Sequence, residues 1–311
     1  MSRTNCLEQK LVLELRVENI KKTAITLWEL LRMRNGIIAF FGVLVGATFI
    51  HTAGAIMPST KVLMAGLAAL LTTSAGNILN DYFDLEIDRI NKPERPIPSG
   101  RISRSDAFMF SIVLFLLGLG FSKSVNDYCL GIASLNSLIL IFYARYSKKL
   151  LLVSNLGISF LVASIFIFGV AATIQDGMNT LSMKEIKLVA IITACAFLTT
   201  LSREIIKDIE DIKGDEKMYA VTLPIKIGAQ RAKNMAIICT LAAIAFSLIP
   251  FTIQLTFFNL YAYGVVIIIS DLIFIISLTM HPSLGQRVMV LGMLLALIAF
   301  FLGNMVPRLM S

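Results

Sequence analysis

The sequence predicts an all-α polytopic membrane protein with nine transmembrane helices. Of its 311 residues, 57% are hydrophobic and only 15% are charged, a balance that soluble globular domains of this size do not show. The apolar residues form runs of about 20, the length at which a helix crosses a bilayer. Gly, Phe and Met occur in the runs without strict alternation, which favours helices over a β-barrel. The predicted spans are 36–57, 62–80, 107–122, 125–143, 150–174, 185–206, 232–253, 257–279 and 288–306.

The segment before the first span is predicted to lie on the membrane surface. Apolar residues alternate irregularly with Lys and Arg over residues 1–35, and the single tryptophan, Trp28, is of a type enriched at membrane interfaces. No cleavable signal peptide is evident, because the first apolar run is long and no small-residue cleavage site follows it. The predicted organisation is therefore an amphipathic interfacial segment, 1–35, followed by a nine-helix transmembrane domain, 36–311.

The distribution of the basic residues predicts the orientation of the protein. With nine spans, the amino terminus and the loops after spans two, four, six and eight share one side of the membrane. Most of the 28 Lys and Arg lie on that side, which is therefore predicted to be cytoplasmic. The net charge of +8 is explained by this bias, and no nucleic-acid partner is predicted.

The cysteines and histidines do not predict a site of their own. None of the four cysteines forms a Cys-x-x-Cys pair, and Cys195 and Cys239 lie inside apolar runs, as small core residues do. The two histidines, His51 and His281, are too few and too far apart in sequence to indicate a zinc site.

Two acidic clusters, each at the end of an even-numbered span, hold more than half of the 20 Asp and Glu residues. In the first, Asp81, Asp84 and Asp88 are spaced i, i+3, i+7, so on a helix they share one face with Asn77 and Asn80 beside them. Three carboxylates on one face repel one another unless a positive group lies among them. Acids at the end of a membrane helix are therefore candidates for a functional site.

The second cluster repeats the first. Asp208, Asp211 and Asp215 have the same spacing, and each follows its counterpart in the first cluster by 127 residues. This repetition indicates an internal duplication, with the second copy placed across the bundle from the first. Both clusters lie on the same side of the membrane, so the repeats are predicted to be parallel.

Facing carboxylate triads predict a divalent cation and a phosphate-bearing ligand. Mg²⁺ prefers carboxylate oxygens and leaves coordination places for substrate phosphate. Basic residues just beyond the triads can hold the remaining phosphate oxygens; they are Lys92, Arg95, Lys213 and Lys217. Calcium would also satisfy the oxygen count, but the interleaved basic residues favour a phosphate ligand.

This chemistry at the mouth of an apolar bundle suits a diphosphate with a long hydrocarbon tail. Metal ions would neutralise the leaving diphosphate and lower the barrier to breaking its C–O bond. An allylic tail would leave as a stabilised cation, which needs no protein nucleophile. The absence of a convincing Ser/His/Asp or Cys/His arrangement fits this scheme, and a water-poor pocket would protect the cation.

Both acidic clusters resemble known motifs. Asn80-Asp81-x-x-Asp84-x-x-x-Asp88, together with Asp211-x-x-x-Asp215, is similar to the two aspartate-rich motifs of the UbiA superfamily of intramembrane prenyltransferases. The resemblance spans nearly the whole chain and makes 36–311 a prenyltransferase domain. It implies a central cavity under a cytoplasmic cap from loops 2–3 and 6–7, a Mg²⁺-bound isoprenyl diphosphate, and a lateral opening toward membrane lipids.

Together, the clusters and the resemblance predict the site residues. The catalytic aspartates are Asp81, Asp84, Asp88, Asp208, Asp211 and Asp215. These residues and Asn80 are the predicted metal ligands. The predicted substrate-binding residues are Asn35, Asn77, Asn80, Lys92, Arg95, Tyr143, Lys148, Glu204, Lys207 and Lys217. Two less specific resemblances to the family contribute to this set. Arg32-Met33-Arg34-Asn35 is similar to an Arg-Pro-x-Asn motif of the family, with Met in place of Pro. Tyr143, Lys148 and Asn155 are similar to a Tyr…Lys…Asn pattern of the family.

The acceptor is predicted from the run 203–215, which resembles the archaeal branch of the superfamily. Members of that branch transfer a geranylgeranyl group from its diphosphate to geranylgeranylglyceryl phosphate, in the synthesis of ether lipids. A lipid-phosphate acceptor would suit the cations near the cap, which include Arg34, Lys148, Lys149 and Lys207. The alternative is an aromatic acceptor. A cation or metabolite transporter is a further alternative, but transporters usually hold their acids near the bilayer midplane.

Overall fold

The computed structural model describes residues 16, 18, 20–50, 59–146, 152–174, 182–217, 221–253 and 258–310, without the side chains of 91, 213, 214, 217 and 306–310. The described residues contain helices and turns and no strand. The helices are α1 (Ile20–Leu31), α2 (Met33–Thr48), α3 (Thr60–Phe83), α4 (Leu85–Asn91), α5 (Arg104–Val125), α6 (Asp127–Tyr146), α7 (Val153–Ala171), α8 (Met183–Lys217), α9 (Leu223–Ile227), α10 (Ala229–Leu248), α11 (Leu260–Thr279) and α12 (Pro282–Met310), with a 3₁₀ turn at Ile249–Thr252.

The predicted all-α membrane fold is confirmed. Within the described ranges, eight helices are long and apolar enough to cross a membrane, and a ninth span results if α1 and α2 are taken as one bent pair. The predicted bounds agree to within a few residues for most spans. The main differences are at α8, which continues as a helix past the apolar run to Lys217, and at the first span, since 51–58 lie outside the described residues.

Arg32 separates α1 from α2. Its backbone is left-handed, with φ 46° and ψ 52°, and the two helices meet at an angle of 58°. A left-handed conformation costs a non-glycine residue about 1–2 kcal/mol. The guanidinium of Arg32 forms an ion pair with Asp81, which anchors the bend to α3. The described part of the predicted interfacial segment is thus a helix with its own direction, along which Trp28 is exposed and Leu30 is buried.

The two acid-bearing helices occupy matching places in the bundle. The first, α3, packs between α2 and α5, and the second, α8, packs between α7 and α10. The halves meet where α2 and α6 contact α7 and where α2 contacts α12. At the acidic end of the bundle, α4 with the turns at 92–103 and the end of α8 with α9 form the cap over the interior.

Glycines allow α2 and α7 to cross closely. Gly42 and Gly46 form a Gly-x-x-x-Gly pair on α2, and Gly169 lies opposite them on α7. A methyl group on Gly169 would come within 2.2 Å of the Val43 carbonyl oxygen, and one on Gly46 within 2.5 Å of the Phe166 carbonyl oxygen. Small residues permit this kind of backbone contact between membrane helices. The crossing joins the two halves and forms part of the cavity wall.

A polar contact closes the end of the bundle opposite the acids. The amide nitrogen of Asn304 on α12 donates to the carbonyl and to the hydroxyl oxygen of Thr48 on α2, the latter at 3.0 Å. Asn304 is fully buried. Hydrogen bonds of this kind between membrane helices contribute about 1 kcal/mol, so Asn304 fixes α12 against α2 at this end.

Candidate active site

A cavity of about 870 Å³ runs from the acidic end into the bundle. Asp84, Asp211 and Asp215 lie at its mouth, whereas Ile165 and Phe300 line its depth. The polar and charged lining is concentrated under the cap. The cavity therefore joins an oxygen-rich mouth to an apolar interior, as a ligand with a charged head and a hydrocarbon tail requires.

The first triad does not lie on a single helix. The chain leaves α3 after Phe83 and enters α4 at Leu85, with Asp84 between them at φ −85° and ψ 6°. The expectation of one shared helix face is wrong here, because the break redirects the chain before Asp88. As a result Asp84 and Asp88 line the cavity, whereas Asp81 does not.

Two arginines hold Asp81 and Asp88 in place. Arg95 donates to Asp81 Oδ1 at 3.1 Å and to Asp88 Oδ2 at 2.5 Å, and Arg32 also donates to Asp81. Asp81 is 2% exposed and Asp88 is 4% exposed. A buried carboxylate is tolerated only when such partners compensate its charge. Arg95, predicted to bind diphosphate, thus also braces the cap loop against α3.

Asn80 and Asn77 present amide groups to the same mouth. Asn80 Nδ2 donates to Asp84 Oδ2 at 2.9 Å, which orients that carboxylate. Asn77 lines the cavity, and its Nδ2 is buried without a hydrogen-bond partner among the described residues. A buried donor left unpaired costs about 1–3 kcal/mol. An anionic oxygen in the cavity would remove that cost.

The second triad lies on one continuous helix, which extends beyond the predicted span. Asp208, Asp211 and Asp215 project from α8, and all three line the cavity. Asn155 on α7 is buried, and its Nδ2 donates to Asp208 Oδ2 at 2.8 Å. Asp211 is exposed at the mouth. The two triads are therefore not equivalent: one carboxylate of the second is held by an amide, and two of the first are held by arginines.

Replacing Asn155 tests this positioning. We expect Asn155→Ala to lower kcat/KM for prenyl transfer by about 10- to 100-fold, since an unheld Asp208 can rotate away from the cavity. Val153→Ala is the control, because Val153 is an exposed α7 residue outside the cavity lining, and it should change kcat/KM by less than about threefold. Equal rates for Asn155→Ala and the native protein in a product assay would contradict the assigned role.

Positively charged groups lie beside the second triad. Lys207 Nζ is 3.2 Å from Glu204 Oε2, and Arg203 Nη1 is 2.7 Å from Glu204 Oε1. Tyr143 and Asn35 also line the cavity. Of the other predicted substrate-binding residues, Lys148 lies outside the described residues, and the Lys217 side chain is not among those described.

Lys92 stands at the rim of the cavity. Its side chain is exposed, yet partial desolvation by the cavity walls, with the nearby Arg95 guanidinium, lowers its pKa below the ordinary lysine value. A lowered pKa means that the ammonium is disfavoured by its surroundings and would lose its charge at a lower pH than a free lysine. An anion bound at the rim would offset this cost.

The residues at the mouth fit Mg²⁺. The available donors are carboxylate and amide oxygens, which are the ligands that this hard cation takes. In the part of the chain that the structure describes, no three His, Cys, Asp or Glu side chains form a closed cluster that could hold a metal. The oxygens of Asp84, Asp211 and Asp215 face the cavity from two sides, so a bound diphosphate would complete the coordination between them.

The structure adds three residues to the site that the sequence does not predict. The sequence assigns no role to Arg32, and the structure pairs it with Asp81. Arg203 and Asp271 were not among the candidates, although both line the cavity. Asp271 is 8% exposed in the middle of α11 and accepts a hydrogen bond from Ser247 at 2.8 Å. A single acid in an otherwise apolar run was the available signal for Asp271.

The chain is similar to proteins of known family and structure. The model of the UbiA prenyltransferase family matches residues 39–298. A digeranylgeranylglyceryl phosphate synthase from Methanosarcina mazei is 37% identical over 293 residues, which cover 89% of this chain and 98% of that protein.

Solved structures have the same fold. A structure reported for digeranylgeranylglyceryl phosphate synthase has a TM-score of 0.73 and 33% sequence identity, and the match covers 92% of this chain and 99% of that one. A UbiA homologue from Archaeoglobus fulgidus bound to DMAPP and Mg²⁺ has a TM-score of 0.65 and 17% identity, with coverages of 90% and 99%. At 17% identity, the similarity to the Archaeoglobus fulgidus structure concerns the fold alone.

Proposed function

The chain belongs to the UbiA prenyltransferase family, and we propose that it transfers a geranylgeranyl group from its diphosphate to geranylgeranylglyceryl phosphate, releasing diphosphate. The observation that carries this proposal is the cavity, in which aspartates from both halves face one another above an apolar interior. The choice of acceptor is supported by the relatives: the Methanosarcina mazei protein, matched over 98% of its length, is a digeranylgeranylglyceryl phosphate synthase. The product is an archaeal ether-lipid precursor.

The donor diphosphate is assigned to the mouth. Asp84, Asp211 and Asp215 would hold Mg²⁺, which supplies positive charge to the leaving diphosphate. The metal is proposed from these oxygen donors, and the Archaeoglobus fulgidus homologue of the same fold binds Mg²⁺ with DMAPP. Lys92 and the unpaired Asn77 amide donate to phosphate oxygens at the rim. Asp88 and Asp208, which are also predicted metal ligands, are held in orientation by other residues: Arg95 orients Asp88, and Asn155 orients Asp208.

The apolar depth of the cavity receives the hydrocarbon tail and excludes water. In the reaction the bond between the first prenyl carbon and the diphosphate oxygen breaks, and its electron pair leaves with the diphosphate. The hydroxyl oxygen of the acceptor bonds to that carbon, and its proton leaves with the released diphosphate. Because the acceptor hydroxyl is the nucleophile in this step, the residues of the chain act by holding charge and by keeping water away.

We also propose that the protein lies in the cell membrane with its acidic end toward the cytoplasm. The orientation is supported by the excess of Lys and Arg in the loops at that end. Residues 1–35 serve as the interfacial segment, and 36–311 as the prenyltransferase domain. Both substrates carry long hydrocarbon chains, so they reach the cavity from the surrounding membrane lipids.

Product analysis tests the proposal. The purified protein in lipid is incubated with geranylgeranyl diphosphate, Mg²⁺, and either geranylgeranylglyceryl phosphate or an aromatic acid, and the products are identified by mass spectrometry. We expect digeranylgeranylglyceryl phosphate and free diphosphate. Prenylation of the aromatic acid alone would contradict the lipid acceptor. Ion or metabolite flux through liposomes without diphosphate release would contradict the transferase.

Removing divalent metal is a separate test. We expect a chelator to lower the rate of transfer by at least about a hundredfold, because the diphosphate would leave without charge neutralisation. Adding Mg²⁺ back in excess should restore the rate. The control is the same chelator already saturated with Mg²⁺. Full activity in metal-free buffer would contradict the assigned role of the aspartates.

A further inference from the structure

The cations around the cavity mouth fall into two groups. Arg32 and Arg95 are engaged by the first triad. Arg203 lies on α8 and contacts α12, because its Nη2 is 3.4 Å from Gln286 Oε1. Asp208 on the same helix is held from α7 by Asn155. Arg203 lies eight residues before Asp211, which separates the two by about 12 Å along α8.

Arg203 has an unused donor. Its side chain is 26% exposed and lines the cavity. Nη1 donates to Glu204 at 2.7 Å, but Nε is buried and has no hydrogen-bond partner among the described residues. An unpaired N–H on a guanidinium costs more than one on a neutral group, so this position favours a ligand with an acceptor oxygen.

Arg203 does not have a counter-ion to itself. Arg203 and Lys207 share a single carboxylate, that of Glu204. Gln286, which contacts Arg203, also donates through Nε2 to Glu210 at 3.2 Å. Arg34, at the start of α2, also lines the cavity and forms no ion pair with any described residue. Two cations that share one carboxylate, with a third that forms no ion pair, suit a phosphate group.

We propose that Arg203, supported by Gln286, binds the phosphate of the lipid acceptor and selects acceptors that carry it, with Lys207 and Arg34 completing the subsite. This inference rests on the proposed function. The acidic ends of the helices lie at the level of lipid headgroups, so an acceptor can place its phosphate there while its hydrocarbon chain remains among apolar residues. The diphosphate is assigned to the mouth at Asp211 and Asp215, about 12 Å or more further along α8 than Arg203, which keeps the two anionic groups apart.

The test compares geranylgeranylglyceryl phosphate with its dephosphorylated form, geranylgeranylglycerol. We expect Arg203→Gln to raise KM for the phosphorylated acceptor by roughly 10- to 100-fold, the loss of a charged hydrogen bond. KM for geranylgeranyl diphosphate and turnover of the dephosphorylated acceptor should change by less than about threefold. The preference for the phosphorylated acceptor should therefore fall, and Arg203→Lys should restore part of it.

Arg231→Gln is the matched control, because Arg231 is an exposed arginine outside the cavity lining, and it should leave both acceptors unaffected. An equal loss with both acceptors in Arg203→Gln would show a structural role for Arg203 and overturn the inference. An unchanged acceptor preference would overturn it too. If the native protein instead prenylates neither glycerol acceptor, the proposed function fails, and the inference fails with it. Should Arg203→Gln not fold, Arg34→Gln measured with the same two acceptors gives the same comparison.

Discussion

Asp84→Ala is expected to lower kcat/KM for prenyl transfer by at least about a thousandfold, because metal-assisted charge neutralisation contributes several kcal/mol to the transition state. Asp84 lies at the break between α3 and α4, lines the cavity, and accepts a hydrogen bond from Asn80 at 2.9 Å. Asp211→Ala should have a comparable effect, because Asp211 faces the same mouth from the other half. The measurement is product formation at saturating acceptor and varied diphosphate concentration.

Glu86→Ala is the control for Asp84→Ala. Glu86 is an exposed acid two positions along the chain; it pairs with Arg89 at 3.0 Å and does not line the cavity. Exposed ion pairs contribute little, so this variant should keep nearly full activity. Thermal unfolding of Asp84→Ala should resemble that of the native protein. Substantial transfer by a folded Asp84→Ala protein would contradict the assigned site.

Gly169→Val is expected to have the largest effect on stability, about 3 kcal/mol or more. The first carbon of the new side chain would lie 2.2 Å from the Val43 carbonyl oxygen and 2.9 Å from the Ala47 nitrogen. Both are backbone atoms of α2, so no side-chain rotation relieves the contact, and α2 must separate from α7. The midpoint of thermal unfolding in detergent and the yield of monodisperse protein measure this loss.

Gly131→Val is the matched control for Gly169→Val. Gly131 lies in α6, and a carbon added there meets no atom within 4 Å. This variant should therefore unfold near the native temperature. If Gly169→Val also unfolds near that temperature, the close crossing of α2 and α7 is wrong. Prenyl transfer should fall together with stability, because Gly42 and Phe166 at the crossing form part of the cavity wall.

The sequence by itself determined the fold class, most of the spans and the residues of both triads. Long apolar runs specify membrane helices segment by segment, because each helix satisfies its own backbone hydrogen bonds in the bilayer. The triads were recognisable because charged residues at the ends of such runs are costly, and because two copies recur at one spacing. The i, i+3, i+7 spacing of Asp208, Asp211 and Asp215 falls on one helix, although that helix continues beyond the predicted span.

Only the tertiary structure decided how these residues divide their roles. The break at Asp84 turns Asp88 toward Arg95 and leaves Asp81 buried behind the cavity. The contacts of Asn155 with Asp208, and of Arg203 with Gln286, join residues on different helices. Periodicity and spacing describe one helix at a time, whereas these contacts depend on how helices cross and where a bend falls. The sequence therefore predicted which side chains reach the acidic end, and the packing of the bundle set which of them face the ligand.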